Sequence, residues 1–283
     1  MQNILKTKKS FNDFRLTNGR IWGKEMFDLL DRIVAQKLQE ITKAKSVVSE
    51  EVLRVGLQPS KHSFASALRG GRNVFPKLIA EFKRKSPSQN SLRSETSPTE
   101  IVKLYNNYAT AISILTDEKF FGGDLKDLKE ASEVSAIPLL RKDFIIDTYQ
   151  LVEARKSGAA ATLLIAAILS QEKLIHLLAE AEKIGLDTLV EIHTEEELER
   201  VLQTEAKIIG INNRNLDTLE IDLQTSLTLA AKIPAEKIIV AESGINSRED
   251  VEKLIGKVDA ILVGSSILKS ENPETKLREL TIT

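Results

Sequence analysis

Charged and glycine-bearing segments recur in this chain wherever a short apolar run has just ended. Leu78, Ile79 and Ala80 lead into Glu81, Phe82 and Lys83; Ile137 to Leu140 lead into Arg141, Lys142 and Asp143; Leu189 and Val190 lead into Glu191. Further on, Ile209 to Ile211 precede Asn212, Asn213 and Arg214, and Ile238 to Ala241 precede Glu242, Ser243 and Gly244. Lysine among carboxylates is the material of acid–base chemistry. A buried lysine can be tuned toward a general acid, and a buried glutamate toward a base or an acid. Side chains alternate along a strand, so Glu81 and Lys83 share a face. Glu81, Lys83, Lys142, Glu191, Asn212 and Glu242 are therefore expected to converge, with Arg214 and Ser243 beside them. The bland alternative is a polar plug whose charges only satisfy one another. Arg84, Lys85 and Arg141 sit at alternating positions and read as solvated. His193 reads as a cap or loop residue rather than a catalytic one.

Two glycine loops suggest the other end of the substrate. Gly244 follows one apolar run, and Gly264 with Ser265 follows the last, Ala260 to Val263. Glycine lets backbone N–H groups approach an anion closely, and a helix starting there turns its positive end toward it. Gly244, Gly264 and Ser265 are expected to bind a phosphate, although glycine at both places could merely turn the chain.

These residues need a frame that ends many strands at one rim. Apolar runs at 77–81, 111–115, 137–140, 161–165, 188–191, 208–211, 238–241 and 260–263 are too short for helices and read as fully buried parallel strands. Helical patterns separate them; the one at 171–184 puts Leu174, Leu177, Leu178 and Ala181 on one face. Ser170, Thr194 and Ser247 each precede early carboxylates and read as helix caps. The fold class expected is α/β: a (β/α)8 TIM barrel, whose phosphate sites commonly lie after strands seven and eight. Residues 71–283 would form this barrel. Residues 1–70 would form an extension packed on it, with a long helix at 26–44 and a short one at 61–68, neither able to bury a core alone.

Composition narrows the function classes. The 283 residues carry 40 basic and 41 acidic side chains, so no global field favours nucleic acid or a membrane as partner. Cysteine is absent, which excludes thiolate chemistry and fits a reducing compartment. His62, His176 and His193 show no close pairing, so no metal site is expected. The apolar stretch from Ala159 to Leu169 is too short to span a bilayer, and no secretory signal is visible. A cytoplasmic protein is expected.

Eight segments together resemble indole-3-glycerol phosphate synthase, the ring-closing enzyme of tryptophan biosynthesis. They are 79–88 (IAEFKRKSPS), 114–123 (ILTDEKFFGG), 139–150 (LLRKDFIIDTYQ), 163–165 (LLI), 189–192 (LVEI), 209–216 (IGINNRNL), 241–245 (AESGI) and 263–266 (VGSS). The resemblance runs from about Leu30 to the C-terminus. It departs from the family where Gln89 and Asn90 replace a usual glycine, and where Ala109 and Thr110 replace a usual Gly-Ala. It implies the substrate 1-(2-carboxyphenylamino)-1-deoxyribulose 5-phosphate, undergoing ring closure, decarboxylation and dehydration without a cofactor. It further implies Lys142 as general acid and Glu191 as general base, with Lys83 and Arg214 on the carboxylate or sharing the acid role. Glu81, Asn212, Glu242 and Ser243 would orient groups, Ser86 would help hold the substrate, and Phe121, Phe144 and Leu216 would bed its ring. The loop from Lys83 to about Ser97 is expected to act as a lid. A monomer is the default, with association with other tryptophan-pathway enzymes left open. Two alternatives stand beside this reading: a phosphoribosylanthranilate isomerase, and a non-catalytic barrel that binds a phosphorylated ligand and regulates a partner.

Overall fold

Runs of aliphatic residues with no polar face pair only where both faces are covered, and here they close on themselves. A computed structural model describes residues 24–85, 97–215 and 218–281. Its strands are β1 (Lys77–Phe82), β2 (Ala111–Leu115), β3 (Leu139–Lys142), β4 (Ala161–Ile165), β5 (Asp187–Ile192), β6 (Ile208–Asn212), β7 (Ile238–Glu242) and β8 (Ala260–Val263). They form a closed parallel barrel in chain order, with β1 bonded to both β2 and β8. The chain is thus a TIM barrel.

β1, β6 and β7 run one residue further than expected and β5 one residue further at each end, while β3 is shifted. β3 begins at Leu139, two residues late, and runs on through Lys142. Pro138 has no N–H to give the ladder; only its carbonyl takes part, accepting from the Ile112 amide at 3.0 Å. Lys142 therefore ends a strand instead of sitting in a loop, which fixes its backbone.

The helices start where the caps said they would, with one exception. Ser170 accepts from the Lys173 amide and Thr194 from the Glu197 amide. Ser247 occupies a cap position, but its hydroxyl is engaged with the Glu249 carboxylate and makes no cap bond to the helix backbone.

Before β1 come α1 (Lys24–Val47), α2 (Glu50–Arg54) and α3 (Phe64–Leu68). α2 was not anticipated from the sequence. α1 buries Ile33, Val34, Lys37 and Ile41, one helical face, against the barrel rim. The Lys37 ammonium lies 2.9 Å from Asp117 and 3.0 Å from Asp143, residues just past the ends of β2 and β3. Burial pulls this ammonium down, but the charges of Asp143 and Asp117 outweigh it and raise its pKa. α3 lies at the opposite end. Asp187, the first residue of β5, accepts from the Ala65 amide at 2.9 Å, and Lys77, the first of β1, donates to the Ala67 and Arg69 carbonyls. The segment thus runs from rim to floor and places α1 over the site. The expected lid falls mostly on 86–96, outside the described residues, as do Ser86, Gln89, Asn90 and Leu216.

The three residues read as solvated are not all so. Arg141 is buried, donating to Thr116, Asp143 and the Gln150 carbonyl. It points out of the barrel between β3 and its neighbouring helix, where alternation from Lys142 sends it. Arg84 pairs with Asp127 and is half-buried, while Lys85 donates to the Lys119 carbonyl. Among the described residues no helix is long and apolar enough to cross a membrane.

Candidate active site

Interior side chains of such barrels stack in layers of four from alternate strands, and are ordinarily branched and apolar. At this mouth the odd strands contribute Glu81 (β1), Lys142 (β3), Glu191 (β5) and Glu242 (β7). The Lys142 Nζ lies 2.8 Å from Glu191 Oε2 and 2.5 Å from Glu242 Oε2. Glu81 Oε1 accepts from Lys83 at 2.6 Å, and Asn212 Nδ2 donates to Glu191 Oε1 at 3.2 Å. All three glutamates are buried.

Gly210 on β6 and Gly264 just past β8 make room for these carboxylates. A Cβ on Gly210 would stand 2.3 Å from Glu242 Oε1, and one on Gly264 would stand 2.6 Å from Glu81 Oε1. Gly210 escaped the sequence reading. Its signal was available: a glycine inside an apolar strand marks a close approach. Gly264 turns out to serve the carboxylate layer as well as the rim.

The electrostatics run against simple tuning of a buried lysine. Burial pulls the Lys142 ammonium down, but Glu191, Glu242 and Glu81 outweigh it and hold it charged, above the ordinary lysine range. For Glu191 burial raises the pKa, yet Lys142 and His193 bring it well below the carboxylate range. Glu242 goes the other way: burial and the Glu191 and Glu81 charges push it up to about 7 against the pull of Lys142. Two carboxylates on one ammonium are therefore unequal, one charged and one ready to hold a proton.

Above this layer opens a cavity of about 490 Å³. It is lined by Glu81, Lys83, Phe121, Lys142, Phe144, Glu191, Asn212, Arg214, Glu242, Ser243, Gly244, Gly264 and Ser265, so every expected site residue within the described segments faces one space. Phe121 and Phe144 form an apolar wall, their ring centroids 6.0 Å apart. Phe121 is set by a short helix, Glu118–Phe121, capped by Asp117, the carboxylate that Lys37 pairs with. Leu29, Leu30 and Ile33 of α1 complete the wall. The extension's part in the site was missed because nothing local in α1 says which rim it crosses.

On the far side Ser243 and Gly244 both take the left-handed conformation, with φ of 66° and 82°. For a non-glycine residue that conformation carries strain, which accumulates at sites held for a purpose. Gly264 precedes the helix Ser265–Lys269, whose first amides have no acceptor within the helix. Both loops line the same cavity, and Ser266 of the second donates its hydroxyl to the Ile245 carbonyl of the first at 3.2 Å.

The side chain of His193, read as cap or loop, is buried. The residue does serve the helix Glu195–Leu202 by giving its backbone N–H to Glu197, but its ring lies against Glu191.

A barrel with a charged lysine and unequal carboxylates at its mouth and two glycine loops at its edge belongs among the acid–base enzymes of phosphorylated small molecules. Comparison with known proteins narrows this. The family model for indole-3-glycerol phosphate synthase matches residues 30–280, and the chain belongs to that family. It is 43% identical over 257 residues to the indole-3-glycerol phosphate synthase of Bacteroides thetaiotaomicron, covering 89% of this chain and 97% of that protein. It is 41% identical over 263 residues to the enzyme of the same name from Polaromonas naphthalenivorans, covering 90% and 99%. Among solved structures, 3-hexulose-6-phosphate synthase from Salmonella typhimurium superposes with a TM-score of 0.59 at 13% identity, covering 72% of this chain and 96% of that one. A mutant tryptophan synthase alpha-subunit from Pyrococcus furiosus gives 0.57 at 19% identity, covering 73% and 98%. These distant likenesses concern the barrel fold alone.

Proposed function

We propose that Lys142 and Glu191 act as the acid and base of this enzyme, at the floor of the cavity. As an indole-3-glycerol phosphate synthase of tryptophan biosynthesis, the chain converts 1-(2-carboxyphenylamino)-1-deoxyribulose 5-phosphate to indole-3-glycerol phosphate, carbon dioxide and water. The ring carbon bearing the carboxylate attacks the ketone, a carbon–carbon bond forms, and the carbonyl pair moves to oxygen. Lys142 gives that oxygen a proton. An alkoxide is more basic than an amine, so transfer is favourable even from an ammonium held charged by its neighbours. The bond to the carboxylate then breaks, and its electron pair restores the ring through the substrate's own iminium-like system. Loss of the new hydroxyl as water requires removal of a proton from carbon, which falls to Glu191.

Glu242, ready to hold a proton, orients Lys142 from below, and Asn212 orients Glu191. Glu81 positions Lys83. Lys83 and Arg214 hold the anthranilate carboxylate or share the acid role. Phe121 and Phe144 bed the ring, where an apolar wall desolvates the carboxylate and favours its loss. Gly244, Gly264 and Ser265 receive the phosphate, and Ser243 a substrate hydroxyl. For Ser86 and Leu216 the roles are those the resemblance implies, Ser86 holding the substrate and Leu216 bedding its ring. The helical segment before β1 acts with the barrel as one unit. A phosphorylated small molecule is the partner, without nucleic acid or membrane, in the cytoplasm.

The observation that carries this reading is the Lys142 ammonium clamped by Glu191 and Glu242 beneath a cavity open to both glycine loops. Mixing the purified chain with the carboxyphenylamino substrate should produce indole fluorescence. No signal from folded enzyme would overturn the reading.

A further inference from the structure

Glu191 is held from behind as well as from the substrate side. His193 lies two residues on from Glu191, on the same side of the chain, and does not line the cavity. Its side chain is 5% exposed. Nε2 stands 3.3 Å from Glu191 Oε1, close enough for strong charge attraction though without the alignment of a full hydrogen bond. On the opposite edge Nδ1 is 3.4 Å from Glu197 Oε2, an oxygen that also accepts the His193 backbone N–H at 2.7 Å. Both ring nitrogens thus face carboxylate oxygens, and only the doubly protonated imidazole has a donor for each.

Other charges near this chain of groups favour the same state. Glu197, Glu195 and Glu196 occupy the first turn of the helix Glu195–Leu202 and offset the positive end of that helix, which faces the ring. Arg200 on the same helix is turned away, to the carbonyls of Ala166 and Leu169. Around Glu191 itself stand Lys142, Asn212 and, across the layer, Glu242 and Glu81; Lys83 is paired with Glu81. Burial pulls the His193 ring down, but Glu191 and Glu197 outweigh it and raise it to about 9.

We propose that His193, bridging Glu191 and Glu197 as an imidazolium, is a positioning residue that keeps the Glu191 carboxylate charged and fixed in plane while Lys142 is without its proton. The proposal rests on the assignment of Lys142 and Glu191 as acid and base. Glu191 draws its charge stabilisation on one oxygen from Lys142 alone. Once Lys142 has given its proton to the substrate, that support is gone at the moment before a base is needed. A second cation on the other oxygen, buried behind the cavity, cannot be consumed by the substrate. Asn212 supplies a dipole to the same oxygen but no charge.

The chain has only three histidines, so carbon-13-labelled histidine in the full-length enzyme resolves the ring directly, with His193→Gln assigning the signal. The His193 resonance should stay that of the imidazolium through pH 8 and titrate near 9 instead of the ordinary 6.5. Titration at or below 6.5 overturns the proposal. In kinetics His193→Gln should lower kcat about tenfold, raise the acid limb of the kcat profile by about one pH unit and leave KM nearly unchanged, one pKa unit being a factor of ten. Glu197→Gln should move the limb the same way by less, and stands in if the histidine variant does not fold. A lower kcat with an unmoved limb in both variants overturns the proposal in favour of mere packing. Glu191→Gln separates the two readings: if it retains full turnover, Glu191 is not the base, whatever the histidine spectrum shows.

Discussion

Gly210→Ala tests the carboxylate layer without removing any polar group. Its new methyl would sit 2.3 Å from Glu242 Oε1 and 3.2 Å from Leu189 Cδ1, where ordinary contact begins at 3.4 Å. The carboxylate must therefore retreat by about 1 Å, and being 2% exposed in a packed interior it has little room to do so except by leaving Lys142. The present Lys142–Glu242 separation of 2.5 Å would open beyond hydrogen-bond range. Misplacing a reacting group by about 1 Å can cost about a hundredfold in rate. The stability cost should be smaller, about 1–3 kcal/mol, because the clash falls on the end of a side chain and not on backbone. Indole fluorescence gives kcat, and urea unfolding gives stability. A variant with the parent's stability and a rate within threefold would refute the idea that Gly210 makes the space in which Glu242 holds Lys142.

Further expectations follow from the same geometry. Lys142→Ala should lower turnover by about 10²–10⁴-fold while binding of a product analogue, followed by calorimetry, stays largely intact; a rate within a few-fold of the parent would end the acid assignment. Glu191→Gln should slow dehydration more than ring closure, so single-turnover mass detection should show a closed, decarboxylated, still hydroxylated species, and its absence with an unchanged rate-limiting step would count against the base role. A structure with bound phosphate ester should show the phosphate on the amides of Gly244, Gly264 and Ser265. Gly264→Ala should weaken binding and also reduce kcat, since its methyl meets Glu81 first; a pure KM effect would contradict that contact. Lys37→Ala leaves two buried carboxylates, Asp117 and Asp143, short of a cation, and should cost about 3–5 kcal/mol by urea unfolding, as removal of one partner of a buried pair does. A loss under 1 kcal/mol would show that α1 is held by its apolar face alone.

The barrel was legible in the sequence because its signals are local. Eight short runs with no charge in their interior and at most one small hydroxyl, as at Ser113 and Thr162, read as strands covered on both faces, and period two tells that Glu81 and Lys83 share a side. Charged residues just past those runs announced a rim. Local pattern cannot say which strand faces which across a closed ring. The pairing of Lys142 with Glu191 and Glu242 joins residues 49 and 100 positions apart, and it exists only because the sheet closes and its layers draw on alternate strands. For the same reason Gly210 reads as one glycine in a strand until Glu242 is seen to occupy the space its missing side chain leaves. His193 looked like the start of a helix, which it is, and only the packing of that helix turned its ring onto Glu191. Lys37 read as one charge on an amphipathic helix. Its partners lie on two loops far along the chain, and the direction of a buried lysine's pKa depends on how many carboxylates tertiary structure brings to it, since burial by itself pushes the other way.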